Sequence, residues 1–169
     1  MQSQNAQSKR RPSGPRTSLV ILGLLLLTST PSVAASLHEM YALASPGGGY
    51  DKYVVLETGV TYTGGLWIGG TFNPLTVDFE PGGADVRIVG NGAILDLQGG
   101  EICCAYCNHR HDLDDCIILN GSVRFRGYDN EPWHLVPQGS VRHVTFCQPH
   151  DYGIRLFGCG DGILLERNL

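Results

Sequence analysis

The stretch "SVRHVTFCQPHDYGIRLFGCGDGILLERN" (140–168) decides how the chain is read. It holds one short apolar pattern twice. "SVRHVTF" (140–146) superposes on "DGILLERN" (161–168) at an offset of 22, with Val141 on Ile163, His143 on Leu165 and Phe146 on Asn168. Working outward, "CIILNG" (116–121) fits the same template about two residues longer, with Ile117 and Leu119 matching Val141 and His143. "DVRIVGNG" (85–92) is a fourth relative, with Val86, Ile88 and Asn91 in the apolar, apolar and Asn positions. Other runs, among them "YVVLETG", "GLWIGG", "AILDLQGG" and "SVRFRGY", alternate with period two and end in Gly, Asn, Asp or Pro. Short alternating runs with regular turn signals predict an all-β chain. Repetition selects a solenoid, because each repeat buries its inner face only by stacking on its neighbours. Asn91 and Asn168 are expected to hydrogen-bond the backbone of adjacent repeats, since an inward polar group needs such partners. His143, at a position its repeat mates fill with Leu, is expected to be partly buried. One short helix is predicted, "SLHEMYALA" (36–44).

The first 35 residues read as a secretory signal. Lys9, Arg10, Arg11 and Arg16 precede the apolar "SLVILGLLLLTST", and "PSVAA" ends in small residues, which places cleavage between Ala35 and Ser36. The apolar run falls short of the ~20 residues that cross a bilayer, and no second such run follows. Without residues 1–35 the chain keeps 8 Lys+Arg against 16 Asp+Glu, a formal net charge of −8. That balance argues against a basic patch for polyanions and against nucleic acid as a partner. Residues 36–169 suffice for one domain with a real core.

"YVVLETGVTYTGGLWIGG" (53–70) resembles the opening rung of secreted right-handed parallel β-helix proteins of the pectin-lyase-like superfamily. Asp51, the run Val54–Leu56, Gly59, Tyr62, Gly64 and Leu66 carry the likeness. "DYGIRLFGCGDGILLERN" (151–168) is similar to that superfamily's repeat unit. The resemblance implies a right-handed parallel β-helix over 36–169, with the short helix capping its first rung. With export, it implies a secreted, periplasmic or cell-surface protein that acts on or binds an acidic polysaccharide, as a lyase or a hydrolase. A non-enzymatic surface or adhesion solenoid is the alternative, because this superfold hosts both. Two stretches depart from a plain rung: 98–116, rich in Cys and His, and "GYDNEPWHLVPQG" (127–139). The chain stops at "LLERNL" without a polar capping segment, so the expectation is the N-terminal portion of a longer protein.

Candidate site residues fall in four groups. Export favours disulfides among Cys103, Cys104, Cys107, Cys116, Cys147 and Cys159, with buried thiols as the alternative. Cys104, Cys107, His109, His111 and Cys116 have metal-ligand chemistry, but the second, distant pair of a structural zinc unit is missing, and zinc is disfavoured. Asp112, Asp114 and Asp115 could offer carboxylates to calcium, which such lyases often use against a uronate, or be a solvated acidic turn. His150, Asp151 and Arg155 could do acid–base work on a sugar acid, with Arg155 holding its carboxylate. Trp67 and Trp133, with Tyr62, are candidate sugar-stacking platforms.

Overall fold

The computed structural model describes residues 35–75, 78–80, 82–130, 133–149, 151–159 and 161–169. The signal-sequence expectation therefore lies outside the described residues, apart from Ala35. The chain runs β1 (Ala35–Ser36), α1 (Leu37–Leu43), β2 (Lys52–Val55), β3 (Thr61–Thr63), β4 (Leu66–Gly69), β5 (Thr71–Asn73), β6 (Asp78–Glu80) and β7 (Val86–Asp96). It continues through β8 (Glu101–Ala105), β9 (Arg110–Leu119), β10 (Ser122–Arg126), β11 (Tyr128–Asn130), β12 (Trp133–Leu135), β13 (Gln138–Cys147), β14 (Ile154–Phe157) and β15 (Ile163–Glu166). Helix α1 starts where the sequence places it: Ser36 caps it by accepting from the Glu39 N–H. Its Leu37 is buried in the core. Among the described residues no helix is long and apolar enough to cross a membrane.

The fold is all-β with parallel sheets. One sheet has the order β1-β3-β7-β9-β13-β15, with β2 also on β7; the other has the order β14-β10-β8-β4. Every pairing in both is parallel, and from β7 onward the chain visits the two sheets in turn. Two antiparallel hairpins, β5–β6 and β11–β12, stand outside this scheme. The second is the departure read at 127–139.

Period-two alternation sets the core. In the larger sheet Val54, Ile88, Leu113 and Val141 are buried register partners, as are Tyr62, Leu95 and Ile118, and the half-exposed Leu165 and partly buried Phe146 continue the two ladders. In the smaller sheet Ile68, Cys104, Phe125 and Leu156 form the matching ladder. The inner members of these ladders join one buried cluster. A fully buried Phe or Leu contributes on the order of 2 kcal/mol by transfer from water, so the stack dominates the stability of the chain. At Gly139, φ is +140° and an added Cβ would stand 1.8 Å from the His111 carbonyl oxygen, so only glycine lets β13 approach β9 there.

The register corrects the repeat. Val141 pairs with Leu165 and with Leu113, and Thr145 with Ile117, so the offsets are 24 and 28 in place of 22 and 24. The passes differ in length because insertions sit at the corners. A period-two pattern can also slip by two residues without losing an apolar match. His143 is consequently an exposed corner residue and not a packed one. It lies opposite Asp115, and both are left-handed, at φ +54° and +56°. Asn91 and Asn168 take the expected role: Asn91 donates to the Leu56 carbonyl, and Asn168 donates to Val141 O and accepts from Val144 N–H.

The stretch 98–116, read above as a departure from a plain rung, is mostly regular strand. The turn covers only 106–109, and Arg110 already begins β9, the central strand of the larger sheet.

Candidate functional site

Alternation that sends Val123 and Phe125 inward sends Arg124 and Arg126 outward. In β14 it does the same for Arg155 and Phe157. Parallel register then aligns Trp67, Cys103, Arg124 and Arg155 in one outward ladder, and Gly69, Ala105, Arg126 and Phe157 in the next. The β11–β12 hairpin folds over part of this face, where Leu135 and Tyr128 join Cys103, Ala105 and Tyr106 in a small apolar cluster. Beside it lies a cleft of about 270 Å³ lined by Arg124, Arg126, Arg155 and Phe157. A second concavity of about 410 Å³ is lined by Gly99, Gly100, Glu101, Ser122, Arg124, Asp151, Tyr152 and Arg155.

Aromatic rings set the guanidinium groups in place. Arg126 lies 4.9 Å from the Tyr106 ring centroid and 5.9 Å from that of Phe157, and Arg155 lies 5.3 Å from that of Tyr152. Stacking of this kind fixes the plane of the guanidinium while its N–H edge stays free for a carboxylate. Arg124 is held by hydrogen bonds. Its Nη2 donates to Glu101 Oε1 at 2.6 Å and to the Tyr152 hydroxyl at 2.7 Å, and that hydroxyl donates to Glu101 Oε1 at 2.6 Å. The bond to Tyr152, with Glu101 adding to it, holds Arg124 above the usual arginine range. Trp67 is half exposed and anchored by its indole N–H to Gly70 O.

Of the residues singled out from sequence, Asp151 and Arg155 line the larger concavity, and Trp67 shares the outward ladder of Arg155. His150 lies outside the described residues. Trp133 belongs to β12, and its side chain is not among those described. Arg124, Arg126, Glu101 and Tyr152 were missed. The signal was present in the alternate arginines of "SVRFR" and "IRLF". A net charge summed over the whole chain hid them, and the expectation of no basic patch is corrected by this local cluster.

All six cysteines are free thiols, so the expected disulfides among Cys103, Cys104, Cys107, Cys116, Cys147 and Cys159 do not form. Alternation separates them: Cys104 and Cys116 face the main core, while Cys103 faces the cluster under the hairpin. Burial pushes the Cys103 thiol up to about 11 and that of Cys116 to about 12, which keeps both neutral. The five metal candidates do not converge either. Cys107 Sγ meets His111 Nε2 at 3.2 Å inside the fold, and burial lowers the His111 pKa to about 4. His109 turns to Asp85 at 3.2 Å, where Asp51, Asp85 and His109 bring ligand-type atoms within 4.8 Å of one another. Asp112, Asp114 and Asp115 do not share a cation position. Asp112 is buried and accepts from Tyr50, Ser140 and Arg110, Asp114 faces Arg87 and His143, and Asp115 is an exposed corner.

Comparison of the chain with family models, with curated proteins and with solved structures finds no match.

Proposed function

We propose that residues 36–169 form turns of an exported right-handed parallel β-helix, and that the outward face of the smaller sheet binds an acidic polysaccharide. Three features support the helical reading: all-parallel ladders, alternate visits to two sheets, and left-handed corner residues at Asn91, Asp115, His143 and Arg167. The observation that carries the function is the Arg124, Arg126 and Arg155 cluster around one cleft, with Arg126 and Arg155 set on aromatic rings, Arg124 held by hydrogen bonds and Trp67 on the ladder of Arg124 and Arg155. Guanidinium forks match carboxylates bidentately, and an exposed indole face packs on sugar C–H surfaces. A ladder of parallel strands repeats such groups about every 4.8 Å, which suits an extended polymer better than a compact ligand.

The experiment is binding of the full chain to polygalacturonate, alginate and hyaluronate, with dextran as the neutral control, by affinity electrophoresis at low and high salt. Retardation by the uronate polymers that weakens with salt, and none by dextran, is the expected result. Equal retardation by dextran, or none by any polymer, overturns the reading.

A further inference from the structure

Two carboxylates and an imidazole meet at one corner of the larger sheet, and neither the core nor the arginine face uses them. We propose that Asp51, Asp85 and His109 bind a divalent transition-metal ion of the zinc class. The site does not depend on the polysaccharide reading, and it shares only His109 with the five Cys and His read from sequence.

Register builds the corner. Lys52 pairs with Val86, and Val86 with His111, so the segments that lead into β2, β7 and β9 stack on one another. Asp51, Asp85 and His109 lie in those segments. The backbone fixes the first two: the Lys52 N–H donates to the Asp85 carbonyl at 3.0 Å, and the Asp85 N–H donates to Asp51 Oδ2 at 2.9 Å. The Arg110 N–H donates to Asp85 Oδ1 at 2.9 Å, and His109 Nδ1 lies 3.2 Å from the same oxygen. One ligand-type atom from each of the three side chains falls within 4.8 Å of the other two.

Charge points to a cation. Asp51 and Asp85 stack on adjacent turns, and no lysine or arginine among the described residues pairs with either. Like charges opposed across adjacent strands destabilise a sheet, and one divalent ion neutralises both carboxylates at once. The positioning bonds leave room for it. Asp51 Oδ1 and Asp85 Oδ2 have no protein partner among the described residues, and the His109 ring bonds only to Asp85. An ion that takes these groups therefore releases nothing from elsewhere in the fold. The Asp85 and His109 side chains are 42% and 38% exposed and Asp51 is exposed, so the ion enters from solvent.

The donor set selects the metal. One imidazole nitrogen with two carboxylate oxygens suits zinc and its neighbours, whereas calcium takes about six to eight oxygens. Zinc holds such ligands at about 2.1 Å, which in a tetrahedron places ligand atoms about 3.4 Å apart. The 3.2 Å between His109 Nδ1 and Asp85 Oδ1 is already close to that spacing. Asp51 supplies the third ligand, and the fourth position faces solvent. The ion would tie three turns of the stack together, through side chains 34 and 24 positions apart in sequence.

The test titrates zinc chloride into the untagged full chain by calorimetry, with calcium chloride as a second arm and thermal unfolding as a second readout. Wild type is expected to bind one zinc ion, more tightly than calcium, and to unfold at a higher temperature with it. His109→Ala and Asp51→Asn are each expected to lower zinc affinity about 100-fold or more, because losing an outer hydrogen-bond partner alone costs roughly 10- to 100-fold. Without metal, both variants are expected to unfold at the wild-type temperature. Cobalt in place of zinc reports the ligands, and its spectrum is expected to lack a thiolate charge-transfer band. Wild type that binds no zinc, or binds calcium more tightly, overturns the site. So does zinc binding that survives either substitution, or a cobalt–thiolate band, which places the ion on the cysteines.

Discussion

The two sheets each turn a row of arginines outward, and the rows are neutralised in opposite ways. On the larger sheet the acid is the buried partner. The Asp112 side chain is 1% exposed and Arg110 reaches down to it at 2.7 Å, with Tyr50 and Ser140 donating to the same carboxylate. On the smaller sheet Arg124 and Arg155 are register partners, like charges facing each other across adjacent strands. Glu101 answers the first, and the ring of Tyr152 braces the second. Directly opposed like charges destabilise a sheet unless an anion lies between them. One face is therefore closed on itself, and on the function proposed above the other receives a carboxylate from outside. The identity of the residue opposite in the neighbouring strand decides which: serine and arginine flank Asp112, while a second arginine flanks Arg124.

The largest effect that could break this contrast lies on the closed face. Asp112→Ala removes an acceptor from two hydroxyls and a guanidinium, and is expected to lower unfolding stability by about 3 kcal/mol, read by urea denaturation, with polymer binding unchanged in the folded protein. A cost near zero would mean that Asp112 is not the node of that face.

On the same strand, His111 points inward, and burial holds its pKa at about 4. A base whose folded pKa is depressed leaves stability intact above its unfolded value near 6.5 and loses it as pH falls toward 4. Stability is expected to drop by about 3 kcal/mol across that window, and His111→Phe to flatten that part of the profile. A slope that survives the substitution assigns the proton uptake to another group.

The open face responds in binding and not in folding. Arg126→Ala and Arg155→Ala are each expected to weaken uronate-polymer binding about tenfold at low salt, the worth of one charge-assisted hydrogen bond. Each is expected to change stability by less than about 0.5 kcal/mol. The smallest effect belongs to Trp67→Ala, a loss of about threefold to tenfold in affinity from one sugar-stacking surface, measured by the same titration. If Trp67→Ala cost more binding than either arginine, the face would read sugar rings ahead of charge.

Much of the fold was legible because period-two alternation and glycine-marked turns are local signals. The helix at Ser36, the strands and the backbone role of Asn91 and Asn168 all follow from them. Register was not legible, because Val141 can be laid on Ile163 or Leu165 with equal apolar agreement, and only hydrogen bonding across the sheet chooses. The Cys and His of 103–116 drew attention as chemistry-bearing types in a short span. Alternation then scattered them between the main core, the cluster under the hairpin and the opposite corner. Arg124, Arg155 and Tyr152 became a cluster only through register, and Glu101 joins them from 51 positions before Tyr152. Arg155 could be placed outward from sequence because it sits in an alternating strand between Ile154 and Leu156, and Asp151 because it sits in the turn before that strand.

The most direct test of the account is a titration of polygalacturonate into three full-length proteins: wild type, the double variant Arg126→Ala/Arg155→Ala from the open face, and Arg87→Gln from the closed face. At low salt the double variant is expected to lose about 100-fold in affinity with an unchanged circular dichroism spectrum, while Arg87→Gln binds as wild type does. Binding that falls equally in both variants, or that survives the double substitution, would contradict the assignment of the polymer to the arginine face of the smaller sheet.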